Sequence, residues 1–347
     1  MTDEVVDDVA PEPWVPPLPW HRPWLEARLR ERDRLHHALL VTGPSGIGKK
    51  ILALNFAQAL LCETPRDAGF ACGTCAGCRY VAARTHPDLR VLDLFDVDED
   101  DGCWKTVNEI GIKRVRRLTE MLEISSHRAG RRVAVIAPAE RMTGEAANAL
   151  LKTLEEPPPD TTLLLVAHRP GRLLPTVVSR CLRVPAPMPA HDEAIAWLES
   201  RGTSDASGAL AEAGGAPLAA LGLADAEGRA ERKAWFDALA HPQRLVPIAI
   251  GARIDAAGKD QRKPRLAAGL DALVAWTADL ARVSAGGSAQ RLPAYQPALA
   301  ALAPRVARIG LCRYHRSVLF QRAWIAHPLA PRLVAEALLA EYRALFA

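Results

Sequence analysis

The octapeptide Gly43-Pro-Ser-Gly-Ile-Gly-Lys49-Lys50 constrains this chain more than any other stretch, because a glycine loop of this spacing belongs between a strand and a helix. The flanks supply both. An apolar run at residues 37–41 precedes the loop, and an Ala- and Leu-rich run at 49–61 follows it. Further short apolar runs at 89–95, 132–137 and 161–167 alternate with helical patterns. That alternation predicts an α/β domain, a parallel sheet with helices on both faces.

The loop lacks one element of its chemistry. The pattern GxxxxGK[ST] ends in a hydroxyl residue that ligates the Mg²⁺ bridging the terminal phosphates of ATP. Lys50 stands there instead, and an ammonium has no lone pair to offer. Gly43, Gly46 and Gly48 still leave backbone N–H groups to cradle phosphate, and Lys49 can reach it, so residual nucleotide or anion binding stays open. An ATPase of this kind also needs an Asp for the metal, and usually a Glu for the water, at the end of a second strand. After the apolar residues 133–136 those places are held by Ala137 and Pro138. Glu140 reads as a solvated charge beside Arg141, not as a group bent back to the site. Without metal ligands or base, no meaningful hydrolysis is expected.

Between the strands, Ile112, Val115, Leu118 and Leu122 recur at helical spacing, and Thr143 caps a second helix that Pro157, Pro158 and Pro159 stop. The α/β domain is expected over 20–185. An Ala-rich stretch with a Gly214-Gly215 break, 186–228, reads as a small helical lid, and 229–347 as a third, wholly helical domain with breaks at Gly286-Gly287 and at Pro328 and Pro331. Residues 1–19, acidic and then rich in proline, read as a poorly ordered tail. They lack the basic and apolar order of a signal peptide, and no apolar run is long enough to span a membrane, so a cytoplasmic protein is expected. The net charge of +4 permits a nucleic-acid partner without arguing for one.

Four of the seven cysteines fall together at Cys62, Cys72, Cys75 and Cys78. Four thiolates close a tetrahedral Zn²⁺ site with no position left for a substrate water, so the zinc would be structural. Two disulfides or a redox pair are the competing readings, disfavoured by a reducing compartment and by the third closely spaced cysteine. Cys103, Cys181 and Cys312 are isolated and read as buried, inert thiols.

The strings Leu150-Leu-Lys-Thr-Leu-Glu-Glu-Pro-Pro158, Leu163-Leu-Leu-Val-Ala-His-Arg-Pro170 and Ser179-Arg180-Cys181 make the chain similar to bacterial clamp-loader subunits of the AAA+ class, from about Trp20 to the end. The resemblance implies an AAA+ domain carrying the zinc module, a lid, and a C-terminal collar domain that joins a ring of five subunits. It implies gamma or tau ATPase subunits and a delta subunit as partners, and through them a sliding clamp and primer-template DNA. Arg180 matches the arginine that completes a neighbour's ATP site, a role suited to an always-charged, forked guanidinium. An Arg fixing its own domain by a salt bridge is the plain alternative.

The family's motors carry a phosphate-sensing Thr where this chain has Ala167-His168, and a lid Arg where it has Leu218. These departures point to a silent subunit. A working ATPase of the gamma/tau or helicase-loader type, and a zinc-dependent DNA-binding module, are the alternatives. Glu155 and Glu156 sit at the negative end of a helix dipole, which calls either for a basic partner or for full solvation. Lys113, Arg114, Arg116 and Arg117 form a basic face that either meets DNA or is simply solvated.

Overall fold

A computed structural model describes residues 14–97, 104–128, 130–325 and 330–346. Cys103, Pro328 and the first part of the expected tail lie outside the described residues. The chain divides into two compact units between Glu193 and Ala194.

In the first unit, α1 (Arg22–Arg30) leads to β1 (Ala38–Thr42), the glycine loop and α2 (Lys49–Leu60). The cysteine segment, with the short α3 (Ala76–Ala82), precedes β2 (Leu89–Leu92). Then come the hairpin β3 (Phe95–Val97) and β4 (Trp104–Thr106), α4 (Ile112–Glu123), β5 (Arg132–Ile136), α5 (Gly144–Glu155), β6 (Thr161–Ala167), α6 (Pro175–Val178) and β7 (Leu182–Pro185). Five strands form one parallel sheet in the order β2-β5-β6-β1-β7. Every residue of β5 and β6 is buried, which is why their sequences show no polar alternation.

One face of the sheet, through Ala38, Leu40, Ile136, Leu163 and Leu165, packs on Val115, Leu118 and Leu122 of α4 and Leu150 and Leu154 of α5. The other face receives α2. Thr143 caps α5 as its sequence position predicts, accepting from the Ala146 N–H. Two strands depart from expectation. The apolar run at 89–95 is cut at Leu92 and its end joins the β3–β4 hairpin, while β7, beside β1, has no strand-like signature.

The tail expected over 1–19 ends early. Leu18 is buried, Trp20 donates from Nε1 to the Ile47 carbonyl at 3.0 Å, and the His21 ring Nε2 lies 3.2 Å from the same oxygen.

The second unit is all helical among its described residues: α7 (His191–Glu199, which begins in the first unit), α8 (Ala206–Glu212), α9 (Pro217–Leu223), α10 (Ala226–Leu239), α11 (Pro247–Asp255), α12 (Lys259–Ser284), α13 (Gln296–Leu302), α14 (Arg308–Ala323) and α15 (Pro331–Ala344). α12 packs against α10, α11, α13, α14 and α15. Gly214 and Gly215, both at positive φ, end α8, and Pro217 starts α9. The boundary expected at 228 falls inside α10, which Asp225 caps by accepting from the Gly228 N–H at 2.8 Å.

Candidate functional site

The glycine loop is built as its spacing requires. Gly43, Gly46 and Gly48 have φ of 150°, 82° and 85°, and a Cβ on Gly48 would stand 2.5 Å from Leu18 Cδ1. Lys49, only 2% exposed, turns its Nζ back to the Pro44 carbonyl at 2.5 Å. Burial pulls its ammonium down to about 8, and the charge of Glu140 acts in the opposite direction. Lys50 turns to Asp93 at 2.9 Å, where Arg84 also pairs at 3.1 Å, and lies 5.6 Å from the Phe95 ring centre. The residue that replaces the metal-binding hydroxyl thus brings a positive charge with its own carboxylate partner.

Glu140 corrects the sequence reading. It is half-buried, and its Oε1 accepts from the backbone N–H groups of His168 at 2.9 Å and Arg169 at 3.0 Å. The short helical turn at Ala139–Arg141 aims the side chain at the end of β6, and two amides there outcompete water for the carboxylate. Only strand order places those amides within reach, so no local pattern signals the contact. Burial, with Lys49 nearby, lowers the His168 imidazole pKa. Ala137 is buried and Pro138 follows it, so no carboxylate belongs to the strand end itself. Leu218 lies on α9 in the second unit.

Arg180 is at the surface, its side chain 33% exposed. It pairs with the 51%-exposed Glu155 of its own chain and donates from Nη1 to the Thr176 carbonyl at 2.9 Å. Glu155 therefore already has a basic partner at the end of α5. Of the basic residues on α4, Arg114 is turned inward onto the Asp93 and Phe95 carbonyls at 2.8 and 2.7 Å, while Lys113, Arg116 and Arg117 are exposed.

The four cysteines converge, their sulfurs all within 4.8 Å of one another. Cys62 and Cys75 sulfurs are 3.9 Å apart, as are those of Cys72 and Cys78. A tetrahedron with metal–sulfur bonds of about 2.3 Å has edges of about 3.8 Å, so the set can hold one metal ion. N–H groups of Thr74 and Cys75 point at the Cys72 sulfur at 3.4 and 3.2 Å, and that of Cys78 at the Cys75 sulfur at 3.3 Å. The Thr64 hydroxyl and these amides pull the Cys72 thiol down to about 5, while burial pushes Cys78 up.

The module is tied to the sheet domain by Gln58 on the Cys78 carbonyl and by Arg128, which pairs with Glu63 and covers the Tyr80 ring. Cys181 is half-buried, its thiol pushed up to about 11 by burial. Cys312 is exposed, against expectation, because it lies on the solvent side of α14.

Strand, glycine loop and helix beside a five-stranded parallel sheet define a P-loop α/β protein, with Lys50 where the loop pattern has a hydroxyl residue and Ala137 and Pro138 after β5. The family model described as "DNA polymerase III, delta subunit" matches residues 25–188. DNA polymerase III subunit delta' of Pseudomonas aeruginosa PAO1 is 41% identical over 208 residues, 58% of this chain and 60% of that protein. The subunit delta' of Haemophilus influenzae is 34% identical over 245 residues, 68% of this chain and 70% of that one. The chain belongs to the DNA polymerase III subunit delta' family. The match spans less than two thirds of the Pseudomonas protein's length. A gamma subunit-related protein of DNA polymerase III from Thermotoga maritima aligns in structure with a TM-score of 0.44 and 18% identity, covering 93% of this chain and 99% of that one.

Proposed function

We propose that this chain is a catalytically silent subunit of a DNA polymerase III clamp loader, one that lends Arg180 to the ATP site of a neighbouring gamma or tau subunit. With a delta subunit it would help place a sliding clamp on primer-template DNA in the cytoplasm. The observation that carries this reading is the state of its own phosphate site: Lys50 is paired with Asp93, Ala137 and Pro138 hold the acidic positions, and the nearest carboxylate, Glu140, is engaged by backbone amides. Positioning and charge neutralisation supply most of phosphoryl-transfer catalysis, and both are undercut here. His168 and Leu218 stand where the motors sense phosphate.

The cysteine cluster fits a structural Zn²⁺, with soft thiolate donors and no open position. The second unit would carry lid and collar, and the exposed Lys113, Arg116 and Arg117 would face DNA phosphates. A purely structural Arg180 is the second reading, favoured by its pairing with Glu155. Complexes assembled with Arg180→Ala separate the two. The finger predicts intact assembly with a fall in clamp- and DNA-stimulated ATPase of at least about 10³-fold at that site. Unchanged ATPase would make Arg180 structural.

A further inference from the structure

We propose that Glu140 takes, beside Lys49, the place a phosphate would occupy, so that the glycine loop is closed to anions by a carboxylate of its own chain. Lys49 follows β1, Glu140 follows β5 and His168 follows β6, and these strands are neighbours in the order β5-β6-β1. All three groups therefore rise from the same edge of the sheet. Glu140 is fixed there by the His168 and Arg169 amides, and its Oε2 is buried without a hydrogen-bond partner among the described residues.

A buried ammonium whose hydrogen-bond partner among the described residues is a neutral carbonyl is expensive without a counter-ion, and the charge of Glu140, raised from the same edge of the sheet, works against the effect of burial on Lys49. An incoming phosphate would have to displace this carboxylate or lie against a like charge. The loop is also braced from the outside, where Leu18, Trp20 and His21 pack on Ile47 and Gly48. This goes beyond the proposed function, which requires absence of turnover and leaves binding open.

The test titrates pyrophosphate and MgATP into the full-length wild type, Glu140→Gln, and Glu140→Gln combined with Lys49→Ala, by calorimetry at low ionic strength. The amide keeps an acceptor for both backbone N–H groups and removes only the charge. The wild type should show no saturable binding at millimolar ligand. Removing one like charge from the seat should tighten pyrophosphate binding by at least about tenfold in Glu140→Gln. The added Lys49→Ala should abolish that gain.

Saturable binding by the wild type, no gain in Glu140→Gln, or a gain that survives loss of Lys49 would each overturn the inference. Should the amide variant fold poorly by circular dichroism, Glu140→Ser carries the same titration with the same outcomes. Binding without turnover by the wild type would sink this inference alone, whereas ATP turnover would sink the proposed function.

Discussion

Removing one oxygen from the second unit gives the most stringent test of how its core is held. Trp276 is fully buried on α12 and donates from Nε1 to the Tyr342 hydroxyl at 2.7 Å, and that hydroxyl donates to the Leu239 carbonyl at 2.9 Å. A single atom thus links α12, α15 and the end of α10. Tyr342→Phe keeps the ring, which is itself fully buried, and deletes both bonds. Each bond contributes about 1 kcal/mol net, and each orphaned buried partner adds a desolvation penalty, so the loss should be about 2–4 kcal/mol.

Tyr314→Phe is the matched control, because its hydroxyl makes one bond, to the Leu338 carbonyl at 2.8 Å, and its loss should cost about 1 kcal/mol. Equilibrium urea unfolding followed by far-UV circular dichroism reads both, with unchanged slope and shifted midpoint. Equal costs for the two variants, or a loss below about 0.5 kcal/mol for Tyr342→Phe, would refute the argument that this hydroxyl satisfies two buried groups.

Gly48→Ala should destabilise by about 2–4 kcal/mol, since it combines a left-handed φ of 85° with a Cβ placed 2.5 Å from Leu18. Gly202→Ala, at φ 82° with open space around it, should cost only about 1 kcal/mol by the same urea unfolding, and equal losses would count against the brace. The metal content should be one ion per chain by elemental analysis, lost in Cys75→Ala and after chelation, with a lower melting temperature in each case; a metal-free wild type melting unchanged would exclude a structural metal.

Burial holds His21 at about 4, below its ordinary 6.5, so the unfolded chain takes up a proton before the folded one. Stability from this group is full above pH 6.5 and is lost as pH falls toward 4, by about 3 kcal/mol in all. His21→Gln should flatten that part of the pH–stability curve, and curves that stay parallel would show that His21 is not the group.

What the sequence made legible was local. The strand, loop and helix around Gly43–Lys50, the buried runs of β5 and β6, the Thr143 cap and the cysteine spacing are each written in a few consecutive residues. What it hid depends on strand order and on distant partners. β7 is a short edge strand whose outward residues Leu182, Arg183 and Pro185 are exposed, so neither a continuous apolar run nor a clean alternation marks it. Glu140 reads as a surface acid because nothing nearby announces the amides after β6. Leu18 sits in proline-rich sequence that reads as tail, although it is buried against Gly48 of the glycine loop.

The position of β1 has a consequence for how the first unit comes to be folded. β1 is flanked by β6 and β7, both made only after α5 has been synthesised. The strand that carries the glycine loop therefore leaves the ribosome with neither neighbour in existence, and its apolar residues stay unsheltered while most of the unit is still being translated. Parallel pairing across so long an intervening stretch is intrinsically slow and leaves the nascent chain open to aggregation. The last strand to be made closes the sheet against the first, which makes this unit dependent on late closure.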